Sequence, residues 1–367
     1  MAEDRERDRF AADELAVVLS HYDLGVIESI TEFSRGSRRS PKVGIVSSRG
    51  KFLLKRRAPG RDTRLRIDFA HQLQSFLAGR GFPLPKLVSP VTNDEAVVTR
   101  GDFVYELFEY VGGQAFRSGL RETGHAGETL ALFHELVRQF TPPADCPHGD
   151  YHDAVGVRGG LNVIPAALNN AGGMPAPTLA AAVPDDPATR TPPGRERGCT
   201  ECTQFLFDAY DQASEAVDQL GLASWPEQVI HSDWHPGNML FRDEQVVAVI
   251  DYDSARISRR IIDVANGALQ FSMISGGHPD AWPDELDELR FDAFLTGYEQ
   301  RHSLTEAELA ALPNLMIEAL IAETVMPIAA TGSFGRWQGL GFIQMVGRKV
   351  AWLQNHAGRL IQMHRDS

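Results

Sequence analysis

Apolar positions fall into short β-prone runs through the first 110 residues and into helical spacing beyond them. Residues 26–30, 42–46 and 51–55 predict successive strands of an antiparallel sheet, with Ser48-Arg49-Gly50 turning the last hairpin, and a short helix is predicted over 13–22. Residues 63–80 predict a helix with Leu65, Phe69, Leu73, Phe76 and Leu77 on one face, stopped before Gly81-Phe82-Pro83. Strands follow at 96–99 and 103–110, the second running into Gly112-Gly113, a natural hinge. Helical spacing then dominates over 121–140, 205–221, 261–270, 284–302, 305–329 and 339–363. The stretch 141–200 breaks it, holding about half of the chain's 21 prolines with Asn169-Asn170 and Gly172-Gly173, and reads as a Pro/Gly-rich insert. The class expected is α+β: an antiparallel-sheet lobe over 1–110 and a mostly helical lobe over 111–367.

With 367 residues, 43% of them hydrophobic, the chain can form two core-bearing units. No apolar stretch reads as long enough to span a bilayer and no secretory segment is evident, so a soluble cytoplasmic protein without a membrane partner is expected. Three cysteines, Cys146, Cys199 and Cys202, are too few for a disulfide framework, in keeping with a reducing compartment. With His148 they also offer four zinc-type ligands, a weak pattern because one C-x-x-C lacks a well-spaced partner pair.

Net charge is −13, yet between Arg35 and Arg66 twelve basic residues face a single acid, Asp62. Such a segment attracts a polyanion, and the small-residue turn Ser34-Arg35-Gly36-Ser37 lies in it between two predicted strands, which makes Gly36 and Ser37 candidates for cradling a triphosphate. The acidic remainder opposes a nucleic-acid backbone and suits a cationic or zwitterionic small molecule.

The most specific chemistry lies in His231-Ser232-Asp233-Trp234-His235-Pro236-Gly237-Asn238 and in Asp251-Tyr252-Asp253. Residues 238–241 and 246–250 are apolar, β-prone runs around a polar turn and predict a hairpin. Folding it about Glu244 and Gln245 sets Phe241 opposite Ala248 and Asn238 opposite Asp251, bringing two metal-ligating oxygens together. One carboxylate and one amide are enough for Mg2+, which keeps waters and phosphate oxygens as its other ligands. Asn238 and Asp251 are therefore the candidate metal ligands. Asp233, on a loop turned by Pro236-Gly237, is the candidate base for an attacking hydroxyl, with the offset to Asn238 that H-R-D-x-x-x-x-N has in protein kinases. Asp253 reads either as a supporting acid or as an ion-pair partner for Arg256. Asp263 reads as a residue that caps its helix or ties the catalytic loop, and His134 as a core histidine.

Lys55, ending a strand of the basic lobe, is the candidate for the α- and β-phosphates. A kinase lysine normally pairs with a helical Glu. The helix over 63–80 has none, leaving Asp68 or Gln72 as the expected partner.

Lys55, His231 to Asn238, Ile250-Asp251-Tyr252-Asp253 and Asp263-Val264-Ala265 together resemble the aminoglycoside phosphotransferase and choline kinase superfamily over most of the chain. Tyr22-Asp23-Leu24-Gly25, Gly81-Phe82-Pro83-Leu84-Pro85 and Phe108-Glu109-Tyr110-Val111-Gly112-Gly113 are similar to type II homoserine kinases and spore-coat kinase-like proteins. The resemblance implies a bilobal protein-kinase-like fold and ATP held with the Glu109 carbonyl and Val111 amide on the adenine edge. It also implies phosphoryl transfer to a hydroxyl of a small molecule. The loop 35–40 departs from the asparagine-containing loop of homoserine kinases. Two alternatives are a protein kinase and a catalytically silent nucleotide-binding protein. The short span between Asp251 and the helix near Ile261 disfavours the first, because it has no room for an activation segment, and the complete acid–amide–acid set disfavours the second.

Overall fold

The computed structural model describes residues 8–33, 39–58, 63–91, 96–171 and 198–367. In chain order the elements begin with α1 (Ala12–Leu19), β1 (Ile27–Phe33), β2 (Lys42–Ser47), β3 (Gly50–Arg56), α2 (Arg64–Ala78), β4 (Val98–Arg100), β5 (Phe103–Glu109) and α3 (Leu120–Val137). They continue with α4 (Val155–Ala171), α5 (Cys199–Gln219), β6 (Glu227–Ile230), β7 (Met239–Arg242), β8 (Gln245–Val249) and β9 (Arg256–Arg259). The chain closes with α6 (Arg260–Ser272), α7 (Glu288–Glu299), α8 (Glu306–Thr331), β10 (Ser333–Phe334), β11 (Trp337–Gln338) and α9 (Gly339–Asp366). Two compact units divide these elements: residues 1–125, 132–148 and 228–257 form one, and 126–131, 149–227 and 258–367 the other.

The first unit is built on a five-stranded antiparallel sheet of order β1-β2-β3-β5-β4. Strand alternation sorts its side chains. Val43, Ile45, Phe52, Leu54, Tyr105 and Leu107 form one apolar face, packed with Val18 and Leu19 of α1 and with Tyr22 and Leu24. Residues of the other parity, Lys42, Lys55 and Glu106, are paired across β2, β3 and β5 and so share the opposite face.

Helix α2 is capped by Thr63, whose hydroxyl accepts from the Arg66 amide. It buries Ile67, Phe69, Ala70, His71, Leu73, Gln74 and Leu77. Leu65 is exposed, so the buried stripe is rotated from the expected one and carries His71.

The predicted hairpin forms with a different register. Asp243 and Glu244 both have positive φ, 50° and 66°, and make the two-residue turn, one position earlier than expected. Phe241 faces Val246, a bulge follows, and then Leu240 faces Ala248 and Met239 faces Val249. The next amide, Ile250 N, donates to Asn238 O at 2.9 Å. Asn238 therefore lies across from Ile250 and not from Asp251. Asp tolerates the left-handed region through its short polar side chain, Glu244 adopts it at some cost, and the bulge absorbs the odd residue.

The Gly112-Gly113 segment lies against this hairpin. Gln114 and Phe241 exchange backbone hydrogen bonds at 2.7 and 2.8 Å, and the Arg242 guanidinium donates to Gly112 O. A Cβ on Gly113 would stand 2.8 Å from Leu240 Cβ, so the glycine there serves close backbone approach.

The second unit is helical, with α8 packed against α4, α5, α6 and α9. The stretch read as a loop-rich insert contains α4, a 17-residue helix that tolerates Pro165 in its interior; residues 172–197 lie outside the described residues. Helix α8 is long and apolar enough for a membrane span by length and hydropathy, contrary to the expectation that no segment is, and 78% of that window is buried. Its apolar residues cover all sides because neighbouring helices surround it. Asp263 is fully buried in the first turn of α6, whose N-cap is Arg259, so it does not cap the helix.

Candidate active site

The loop 231–238 is held by its apolar members. His231 and Trp234 are fully buried, with ring centroids 5.4 Å apart, and pack with Phe133 and Tyr252 in one aromatic cluster. Anchoring the loop at His231 and Trp234 leaves Asp233 and His235 half-buried, and Ser232 takes the left-handed conformation that makes the bend, at φ 65°. Asn238 donates from Nδ2 to Asp233 twice, to Oδ2 at 2.8 Å and to the carbonyl at 3.1 Å. Both amide protons are then committed to Asp233, and Asn238 Oδ1 remains an acceptor.

His235 Nδ1 accepts from Gly237 N at 3.0 Å, which puts the ring proton on Nε2, 3.5 Å from Asp233 Oδ1. Burial by itself raises the Asp233 carboxyl, but His235, His231 and the Asn238 amide outweigh it and hold Asp233 below the usual carboxylate range. It is an ionised, oriented acceptor at neutral pH.

Asp251, two residues past the end of β8, lies in the left-handed region, φ 68°, and is exposed, while Tyr252 beside it is buried. The local turn thus throws one carboxylate into solvent and anchors the chain with the next residue.

Of the two readings of Asp253, the structure favours the supporting acid, with Lys55 as the group it supports. It pairs with Lys55 Nζ at 3.2 Å and with the Arg57 guanidinium at 2.5 Å, whereas Arg256 donates to Ser254 O. Burial pushes the Asp253 carboxyl up, and Lys55 and Arg57 reverse that, leaving it well below the usual range.

The expected partners of Lys55 are also corrected. Asp68 bonds Arg64 on an exposed face and Gln72 is exposed. The second carboxylate at Lys55 comes from the neighbouring strand: Glu106 lies across from Lys55 in the β3–β5 ladder, with Oε2 3.7 Å from Nζ. Helix α2 contributes His71 instead of a Glu, at 2.6 Å from Glu106 Oε1, and Arg57 reaches the same oxygen at 2.8 Å. Glu106 is fully buried. Burial raises its pKa, but His71, Lys55 and Arg57 more than compensate and bring it down to about 2.

Glu106, His71 and Arg57 were missed in the sequence. Only His71 carried a signal, as a titratable residue on a helix stripe that is otherwise apolar but for Gln74.

Gly36 and Ser37 lie outside the described residues. Glu109 ends β5 and its amide bonds Lys86 O; the Val111 amide makes no hydrogen bond among the described residues. Cys146 stands 3.8 Å from His148 and the buried Cys202 thiol faces Ile343 O. Among the described residues no three His, Cys, Asp or Glu side chains cluster to hold a metal.

An antiparallel sheet carrying a lysine–glutamate pair, followed by an acid-amide loop and a short hairpin that ends in a carboxylate, defines a protein-kinase-like fold. The profile of the phosphotransferase enzyme family matches residues 29–312, and the chain belongs to that family. It is a small-molecule kinase, as the sequence reading expected. Homoserine kinase of Beijerinckia indica is 26% identical over 315 residues, covering 82% of this chain and 80% of the relative. Homoserine kinase of a Caulobacter species is 26% identical over 330 residues, 88% and 87% of the two chains. An aminoglycoside phosphotransferase from Alicyclobacillus acidocaldarius shares the fold with a TM-score of 0.68 and 16% identity, each chain being covered completely.

Proposed function

We propose that this kinase moves the γ-phosphate of Mg2+-ATP to the hydroxyl of a small amino alcohol or hydroxy amino acid, with homoserine as the leading acceptor. The observation that carries the reading is the fixed Asn238 amide. Its two protons bind Asp233, so its oxygen is presented beside a hairpin whose other end offers the exposed Asp251 carboxylate. Two hard oxygen donors, the Asn238 amide oxygen and the exposed Asp251 carboxylate, suit a magnesium ion that keeps water and phosphate oxygens. When bound there, the ion supplies charge neutralisation on the β- and γ-phosphates.

The remaining tasks fall to the chain. Lys55, steadied by Glu106 and Asp253, takes the α- and β-phosphate oxygens. Val111 N, open among the described residues, and Glu109 O hold the adenine edge, and Gly36 and Ser37 cover the phosphates. Asp233 accepts the proton of the attacking hydroxyl, and the low pKa set by its neighbours keeps it ionised for that step. Helix α6 starts nine residues after Asp251, leaving no long activation segment and favouring a small acceptor over a protein.

Homoserine leads because two relatives of that name cover at least four-fifths of both chains. A coupled assay over homoserine, choline, methylthioribose, aminoglycosides and sugars tests this. Turnover with homoserine well above the others is expected; turnover confined to another class reassigns the acceptor.

A further inference from the structure

Lys42 opens β2 directly across from Lys55, which in turn lies across from Glu106. Laterally paired residues point to the same face of a sheet, so two ammonium groups and a carboxylate stand in one row. Two like charges side by side destabilise a sheet unless something else needs both.

The charges around Lys55 already balance. Lys55 and Arg57 oppose Glu106 and Asp253, with every separation at or below 3.7 Å. Lys42 belongs to no ion pair among the described residues and is half-buried. It is repelled by Lys55 and attracted by Asp251, Asp253 and Glu106. Burial and then Lys55 depress its pKa below that of an ordinary lysine. The fold thus keeps a cation beside Lys55, where its own structure disfavours one, within the field of the carboxylate assigned to the metal.

We propose that Lys42 is a second phosphate-binding lysine, donating to an oxygen of the terminal phosphates while Lys55, committed to two carboxylates, serves the inner ones. The inference rests on the nucleotide reading above and deepens it. Lys42 feels the Asp251 carboxylate, and a divalent cation held by Asp251 would neutralise charge on the β- and γ-phosphates, so a lysine on that side would serve the β,γ end of the triphosphate. Removing it should therefore weaken ATP more than ADP.

The test uses the full chain and calorimetric titration of Mg2+-ATP and Mg2+-ADP into the parent, Lys42→Met and Lys42→Arg. A lost charge-assisted hydrogen bond predicts at least about a tenfold weaker ATP affinity in Lys42→Met, a smaller change for ADP, and an unliganded melting temperature equal to or above the parent's. A residue needed only for folding would lower that temperature instead. Lys42→Arg keeps the charge and should retain ATP affinity. If Lys42→Met folds poorly, Lys42→Arg decides: retained binding supports the assignment and lost binding overturns it. A parent that binds ATP and a Lys42→Met variant that binds it equally overturn the role of Lys42 alone, whereas a parent that takes no nucleotide overturns both readings.

Discussion

Both units bury charge, but they close it differently. In the helical unit several buried charges are satisfied within the packing. His152 lies 3.0 Å from Glu318, which also accepts from Asp153 N and Ser214 Oγ. Lys349, fully buried, donates to the carbonyls of Pro283 and Glu285. Arg260 grips Glu308 with two nitrogens, at 2.9 and 2.8 Å, while Glu308 completes the capping box of Thr305. In the sheet unit the chain His71–Glu106–Lys55–Asp253 runs from the core to Asp253, which is part-exposed, and ends near Lys42 and the exposed Asp251. Burial of charge alone does not mark a site. The network with an open end does, because a ligand can complete it.

The largest effect expected from breaking this contrast is at Asp233. Asp233→Asn should lower kcat by roughly 10²- to 10⁴-fold, the usual worth of a positioned base, with nucleotide affinity and melting temperature held; steady-state kinetics and thermal melts check both.

Next is Glu106→Gln, which leaves Arg57 and Lys55 short of a buried partner. Loss of one member of such a cluster costs about 3–5 kcal/mol, measurable by denaturant unfolding, and weaker ATP binding should accompany it. The pH dependence follows from its sign. The folded pKa of Glu106, about 2, lies below its ordinary 4.5. Its contribution is present above pH 4.5 and lost as pH falls toward 2, so the parent should weaken over that window and Glu106→Gln should weaken less.

A smaller effect of opposite pH sign belongs to the helical unit. Burial lowers the pKa of His152, but Glu318 and Asp218 reverse this and raise it from 6.5 to about 9. Its contribution is complete below pH 6.5 and lost as pH rises through 9. Melting temperature should fall across that range in the parent and stay flatter in His152→Asn, with ATP affinity at pH 7.5 unaltered. The smallest effect is expected at the exposed pair Arg121 and Glu244, 3.1 Å apart; Arg121→Ala should change neither turnover nor melting temperature, since surface pairs contribute little.

How much of this was legible depended on whether the signal was local. Strand runs, the helix at 63–80 and the order of the helices follow from periodicity and turn residues, and their ends moved by a few residues. The acid–amide–acid set was legible because its spacing is short and its residues belong to one loop and one hairpin. The hairpin register was not, since whether the turn centres on Asp243-Glu244 or one position later, and whether a bulge follows, depends on backbone conformation that Asp, Glu and Gln do not announce. The Lys55 anchor was missed for a different reason. Glu106 is distant in sequence, and only the placing of β5 beside β3, past α2 and β4, brings it across from Lys55. Helix α4 escaped notice because Pro165 and its many glycines and asparagines mimic a loop, while packing against α8 and α5 sustains the helix.

The most direct test of the open network is calorimetric titration of Mg2+-ATP into the parent and into Asp251→Ala. Saturable binding by the parent, lost in a variant whose melting temperature is unchanged, is the predicted result. Heat of binding that is absent from the parent, or equal in the two proteins, would contradict it.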